Sequence, residues 1–472
     1  MTFRSAPLAL FFLGTAATAT PSTHDDPRGL IPVSPPPLSA RQTPCGDVPA
    51  GALTLPDLVD IALCRNPATA ASWAAVRAAA AQIGVAKSAQ LPNVNLNVGP
   101  TLNSSKSFRD IGFIDANGNV VGGSSVLTQV NSSARLAVNY LIFDGGGRRA
   151  QIDSASAQQR AALASYADTA QGIVLNVVTA YNSLAANRAI ETANLANLAF
   201  AQQSRDLAAG RSRAGVATAA DRLQGETQAA QAELTLIQTR GAIATAAAQL
   251  AVAVGLPPAQ ALVLAPMAPL ASGDRLKQGA ATLIADAERL RPDIVASRAN
   301  IDAAAANVRA AQSAGRPSLS VQGSNGLSAF DTTIDRNVAS AGLSLSVPLF
   351  SGWNTRYNIA AARARLEQQT ALAEQTRQQA GLDVYSNYVA FDNALSSLAT
   401  ARVLVTSATQ SAALAQGRYR AGVGTFADLL NAQNALASAR QQLAQNEFNV
   451  RTNNARLARA VGDIGEAIDG QR

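Results

Sequence analysis

The chain repeats itself, and this constrains its fold more than any single motif does. Asn66-Pro67 opens a helical run ending at Leu91-Pro92, and Arg291-Pro292 opens one ending at Arg316-Pro317. Both proline pairs are offset by 225 (292 − 67 and 317 − 92), and Ser72 and Ser88 fall on Ser297 and Ser313. Further on the offset becomes 207. Phe143-Asp144-Gly145 matches Phe350-Ser351-Gly352, Tyr181 matches Tyr388, and Gly210 to Val216 matches Gly417 to Val423. Asp221 likewise matches Asp428, and Val254-Gly255 matches Val461-Gly462. The difference, 225 − 207 = 18 residues, falls between Pro92 and Phe143. Two copies of one supersecondary unit are therefore expected.

Each copy changes period along its length. A first helix, Leu55 to about Gln90, is Ala-rich with apolar residues at helical spacing, until a proline stops it. The period then drops to two. Val94, Leu96 and Val98 alternate with Asn93, Asn95 and Asn97; Leu136, Val138, Tyr140 and Ile142 alternate with Arg135, Ala137 and Asn139. In the second copy Leu319 and Val321 open the alternation, and Leu343, Leu345, Val347 and Leu349 close it. Strands of about ten residues with one apolar and one polar face suit either a membrane barrel or a half-buried soluble hairpin. The 18 extra residues lie in the Gly-, Ser- and Asn-rich connection around Ser104 to Asn131.

No proline interrupts Gly145 to Gly210, so about 65 residues at ~1.5 Å each predict a rod roughly 100 Å long. A glycine turn then returns the chain along a helix of about 40 residues by the same pattern. Such helices must pack side by side, and Leu175, Val178, Tyr181 and Leu184 give a stripe for it. Composition agrees: aromatics are 4% and charged residues 15%, which suits closely spaced helices better than a thick core.

Arg4, the apolar run Ala6 to Ala17 and the small residues Ala17-Thr18-Ala19 read as an export leader over 1–19. A proline-rich arm follows over 20–52. The first repeat then covers 53–255, with its hairpin at 91–143 and its helical tip near 210–218. A linker at 256–280 leads to the second repeat at 281–472, with its hairpin at 317–350 and tip near 417–425. The chain has two cysteines, Cys45 and Cys64; in an oxidising compartment they form a disulfide pinning the arm to the first helix, or they stay as thiols. The apolar stretch Leu250 to Ala271 is broken by Gly255 and four prolines, so membrane contact falls to the strands.

Four strands per chain leave two edges, and unpaired backbone cannot face hydrocarbon. Closure then needs several chains. Two give eight strands and a filled barrel; three give twelve and room for a water-filled lumen. The helices would continue such a barrel as a hollow cylinder.

These features together resemble the TolC family of outer-membrane channels over nearly all of the chain. The likeness rests on the two helix–hairpin–helix repeats, the starts Asn66-Pro67 and Arg291-Pro292-Asp293, and the turns Arg213-Ala214-Gly215-Val216 and Arg420-Ala421-Gly422-Val423. Around Cys45 to Cys64 the chain looks most like members that serve type I protein secretion. The resemblance implies a mainly α fold: a homotrimer whose twelve-stranded β-barrel is continued by a periplasmic α-helical barrel. It implies a closed tip that opens when a periplasmic adaptor docks with an inner-membrane ABC transporter or a proton-driven pump.

The same resemblance assigns candidate residues. Gly215, Val216, Gly422 and Val423 match tip positions that meet the adaptor, although turn chemistry alone also accounts for the glycines. Asp428 matches a carboxylate lining the pore constriction. The next ring position is Asn431, which weakens any cation trap. Asp221 and Tyr419 match positions that lock the closed tip by hydrogen bonds between neighbouring helices, while the lock's arginine position is Gly424.

Other classes fit poorly. The sole histidine, His24, sits in the arm, and no nucleophile or metal-ligand cluster is spaced for chemistry, so neither catalysis, a metal nor a cofactor is expected. Gly145-Gly146-Gly147 lacks the ending of a phosphate loop. The net charge of +7 comes from scattered arginines, which speaks against nucleic acid as a partner. The remaining rivals are a small-molecule efflux channel and a trimeric coiled-coil stalk or adhesin.

Overall fold

The computed structural model describes residues 26–35, 51–107, 113–114, 116–118, 120–121, 125–266, 276, 278–330 and 333–465. The leader, His24, Cys45 and most of the proline-rich arm lie outside them. The helices pair off between the copies. α1 (Leu55–Arg65) and α5 (Ala280–Leu290) have 11 residues each, and α2 (Pro67–Ser88) and α6 (Pro292–Ser313) have 22. α3 (Gly147–Arg213) and α7 (Asn354–Arg420) have 67, and α4 (Ala219–Val254) and α8 (Phe426–Val461) have 36. The duplication is thus kept to the residue in the helices.

The single first helix expected over Leu55 to Gln90 is two helices. Pro67 has no N–H to donate, so α1 ends at Arg65, and Asn66 starts α2 by accepting from the Ala68 N–H at 2.9 Å. Arg291-Pro292 makes the same break between α5 and α6.

The strands are longer than the expected ten residues: β1 (Asn93–Ser107), β4 (Ser125–Phe143), β5 (Ser318–Phe330) and β6 (Thr333–Ser346) have 15, 19, 13 and 14. They form one antiparallel sheet in the order β1-β4-β5-β6, joined across the copies by β4 and β5. A two-residue ladder of β2 (Phe113–Ile114) and β3 (Val120–Val121) lies in the long connection of the first hairpin. Val347 and Leu349 fall beyond β6, because Pro348 cannot donate to the ladder. Register puts like with like: Val94 faces Val138, Leu96 faces Leu136, and Leu319 faces Leu345. Asn93 faces Asn139, Gln322 faces Gly342, and Ser320 faces Ser344 on the other side. One face is therefore mainly apolar across the four strands, with Asn325 opposite Leu136 and Asn337 opposite Leu327 as exceptions. On it Val98 and Leu343 are both 72% exposed in the single chain. β1 and β6 are the two sheet edges.

α3 is the axis of the helical part, packing against α2, α4, α6 and α8. Its buried residues Ala150, Ser154, Ala157, Ala161 and Ala164, then Ala170, Val174, Val177, Tyr181 and Leu184, advance in steps of four and three, the coiled-coil seam. Alanine at so many of these positions lets the rods approach closely. Between α3 and α8 the seam also carries polar rungs: Gln433 donates to Ser204 Oγ at 2.6 Å, Gln441 to Asn194 Oδ1 at 2.6 Å, and Asn182 to Thr452 Oγ1 at 3.2 Å. Amide hydrogen bonds across the seam oppose sliding of the two helices, although Asn182 Oδ1 is left without a partner among the described residues. Among the described residues no helix is long and apolar enough to cross a membrane.

Candidate functional site

The ends of the two helical hairpins gather the candidate residues. Each first helix stops in the same manner. The Gly215 N–H bonds Ser212 O at 3.1 Å and the Val216 N–H bonds Arg211 O at 3.0 Å; in the second tip Gly422 bonds Tyr419 O and Val423 bonds Arg418 O at the same distances. This closure needs a left-handed residue after the helix, and Gly215 (φ 72°) and Gly422 (φ 79°) supply it. Val216 and Val423, next along, are 63% and 68% exposed. The four adaptor candidates therefore form two apolar points at the ends of the rods.

The return helices begin with capping boxes. Thr218 Oγ1 accepts from the Asp221 N–H at 3.2 Å while the Asp221 carboxylate accepts from the Thr218 N–H at 3.3 Å. Thr425 and Asp428 repeat the arrangement at 3.1 and 3.3 Å. Both aspartates thus start their own helix, whatever else they do. The Asp428 carboxyl is held below the usual carboxylate range by hydrogen bonds from the Thr425 side chain and backbone, with a contribution from the Arg418 charge. Asp428 and Asn431, one turn apart on α8, line one groove with Ser411, Leu414, Arg418 and Gly424. The resemblance assigned these two to one constriction ring; within the single chain they share one surface.

The proposed lock is different. Tyr419 is 3% exposed, with its ring 5.3 Å from that of Phe426, in a small core with Ala208 and Leu429. Arg211, from the other tip, lies over the Tyr419 ring at 4.8 Å and donates to the Tyr419 carbonyl. The Tyr419 hydroxyl is buried without a hydrogen-bond partner among the described residues. Burial pushes its pKa up, the Asp221 charge adds to this, and Arg211 opposes it. Asp221 and Tyr419 are therefore neighbours in the electrostatic sense, but no hydrogen bond joins them within the chain. The reason is competition: Asp221 is engaged with Thr218, and the tyrosine is turned into the core. What ties the tips together here is Arg211, whose part sequence reasoning missed although its Gly-Arg-x-Arg-Ala-Gly context stood in both copies.

A second missed cluster sits at the break between α5 and α6. Arg291 donates to Asp293 Oδ2 at 2.7 Å, to Asp383 Oδ2 at 3.3 Å and to Ala460 O at 3.3 Å. Burial pushes the Asp293 carboxyl up, but the hydrogen bond and charge of Arg291 outweigh it and leave it below the usual range. A cleft lined by Arg291, Asp383, Asp168, Gln171, Arg456 and Arg459 opens beside it. In the first copy Asn66 Nδ2 donates to Ala253 O at 3.2 Å, the carbonyl that matches Ala460 at the offset of 207. A lone Asn-Pro or Arg-Pro gives no sign of this partner, because it comes from the far end of the repeat. Cys64, near the first break, is disulfide-bonded, and Cys45 lies outside the described residues. Among the described residues no group of three or more His, Cys, Asp or Glu could hold a metal ion.

Comparison with known proteins agrees with this architecture. The family model described as outer membrane efflux protein matches residues 58–256 and 283–463, one match for each repeat. Protein CyaE of Bordetella pertussis is 33% identical over 426 residues, 89% of this chain and 86% of that protein. Outer membrane efflux protein BepC of Brucella suis is 27% identical over 360 residues, 73% of this chain and 75% of that protein. A solved structure of a membrane protein from Pseudomonas aeruginosa superposes with a TM-score of 0.74 at 24% identity, covering 90% of this chain and 99% of that one.

Proposed function

This chain belongs to the outer membrane efflux protein family, a family of outer-membrane channels, and from that premise we propose that it is the outer-membrane tunnel of a type I protein secretion machine. Three copies would close their sheets into a twelve-stranded barrel in the outer membrane, with the apolar strand face toward lipid. The observation that carries a multichain barrel is the sheet itself: its apolar face is exposed and its two edges, β1 and β6, are open to further strands. The paired rods would line a conduit into the periplasm. Val216 and Val423 would meet a periplasmic adaptor, and Asp428 with Asn431 would ring the constriction. Asp221, Tyr419 and Arg211 would hold that end closed.

Secretion is favoured over drug efflux by the likeness to CyaE at 33% identity, against 27% for the protein named as an efflux protein. The resemblance of the Cys45 to Cys64 segment to type I secretion members points the same way. The cargo would be a protein handed over by an inner-membrane ABC transporter. A cell lacking this chain should lose a large protein from the culture medium and keep its resistance to dyes and antibiotics. Unchanged secretion with raised dye uptake would instead establish the efflux reading, with a proton-driven pump as the inner partner. Single-channel current from the purified oligomer separates either tunnel from a stalk or adhesin. A bulky residue at both Gly215 and Gly422 should abolish export while the oligomer persists; normal export would remove the tips from adaptor docking.

A further inference from the structure

The two tips carry matching arginines, Arg211 and Arg418, separated by the repeat offset of 207, and the structure uses them differently. Arg211 is committed: it covers the Tyr419 ring and donates to the Tyr419 carbonyl. The Arg418 side chain is exposed, and its guanidinium makes no hydrogen bond or ion pair among the described residues. It lies in the groove that holds Asp428 and Asn431, where it and Asp428 are the charged groups. The following loop is shaped around it. A Cβ on Gly424 would come within 3.0 Å of Arg418 Cβ and 3.2 Å of Tyr419 N, so a residue without a side chain lets the turn lie against the arginine.

We infer that Arg418 sets the ionic selectivity of the tunnel entrance, as the counter-charge that stops the Asp428 ring from acting as a cation trap. The inference rests on reading Asp428 and Asn431 as the constriction. A symmetric ring of carboxylates alone concentrates cations and binds divalent ions. With one guanidinium beside each carboxylate the groove carries no net charge, and at 0.1 M salt, where the screening length is about 10 Å, each charge still feels the other. The entrance then passes anions about as readily as cations and binds Mg²⁺ weakly. Such an entrance suits a cargo bearing both signs of charge, as an extended polypeptide does.

The test is the reversal potential of the full-length protein in planar bilayers under a KCl gradient, together with block by Mg²⁺ added at the tip side. Wild type is expected to be weakly selective. Arg418→Gln should raise the K⁺/Cl⁻ permeability ratio roughly threefold or more and lower the half-blocking Mg²⁺ concentration by a similar factor. Arg418→Lys should behave as wild type, Asp428→Asn should shift the ratio toward Cl⁻, and Arg418→Gln with Asp428→Asn should return near wild type. A shift with Asp428→Asn but none with Arg418→Gln overturns the role of Arg418 and leaves the ring standing. Equal shifts with Arg418→Lys and Arg418→Gln overturn it too, since charge is then not the cause. No shift with either Asp428→Asn or Arg418→Gln removes the ring itself, and the inference with it.

Discussion

The two breaks before Pro67 and Pro292 solve one packing problem with different chemistry. In each, a helix ends against the last residues of its own repeat, and a side chain at the break reaches back to a matching carbonyl, Ala253 O or Ala460 O. The first copy uses neutral Asn66, and its α1 buries Leu55, Pro56, Leu58, Val59 and Ala62. The second copy uses Arg291 with two aspartates, and its α5 buries Leu283 and Ala287 alone among the described residues. Asp383 is part of this exchange, since at the offset of 207 the first copy has Asn176. Where the apolar anchor is large, a neutral hydrogen bond suffices. Where it is small, the join is made by charges, which depend on pH and on each other. The second repeat also contains the Asp428 groove, so the more polar joint belongs to the half with the proposed constriction.

The largest effect should come from the glycines that close each repeat. Gly462 has φ 95°, and a Cβ there would lie 2.9 Å from Arg291 N and Leu290 C; Gly255 has φ 83°, with Arg65 C and O at 3.0 Å. Backbone cannot yield as a flexible side chain does, so Gly462→Ala and Gly255→Ala should each cost roughly 3 kcal/mol. Thermal melting of the detergent-solubilised protein would read this. A mild loss at one site only would break the equivalence of the two joints.

Next, Arg291→Ala should cost about 2 kcal/mol by leaving Asp293 and Asp383 half-buried without a counter-charge, whereas Asn66→Ala should cost nearer ~1 kcal/mol. The same melts would sharpen the contrast, and equal losses would dissolve it. Acid should then separate the copies with a smaller effect. Asp293 is held below its ordinary value of 3.8, so its contribution is present above about pH 4 and fades as pH falls through the folded value. Asp293→Asn should flatten the melting temperature between pH 4 and pH 2 relative to wild type; an unchanged profile would mean that the acid sensitivity lies elsewhere.

The smallest effect concerns the tips. Tyr419→Phe should shift stability by less than about 0.5 kcal/mol, because the hydroxyl has no partner to lose among the described residues. If the hydroxyl does help lock neighbouring helices in the closed tip, the same substitution should raise the fraction of time that single channels spend open.

The sequence, read alone, determined the repeat, the change of period at each proline, the two turns and the strand faces. These are local or periodic signals: a proline without an N–H, a left-handed glycine and an alternation of two are legible without knowing any neighbour. The family resemblance paired Asp428 with Asn431 as ring positions, and they share one groove because residues three apart lie on one helix face. The periodic signal overran at Leu55 to Gln90 and at Leu349, where one missing donor at Pro67 or Pro348 outweighed a favourable pattern. Trp353 was equally hidden: it takes φ 65° where the first copy has Gly146 at φ 94°, and Arg356 covers its ring at 4.6 Å. Only tertiary structure decided what the duplicated arginines do. Arg211 and Arg418 sit in the same local motif, and their fates differ because one finds an aromatic ring from the other hairpin and the other finds a groove. Likewise Arg291 met its carbonyl 169 residues away. Side chains that act across such distances depend on which surfaces the fold brings together, and a linear pattern does not contain that information.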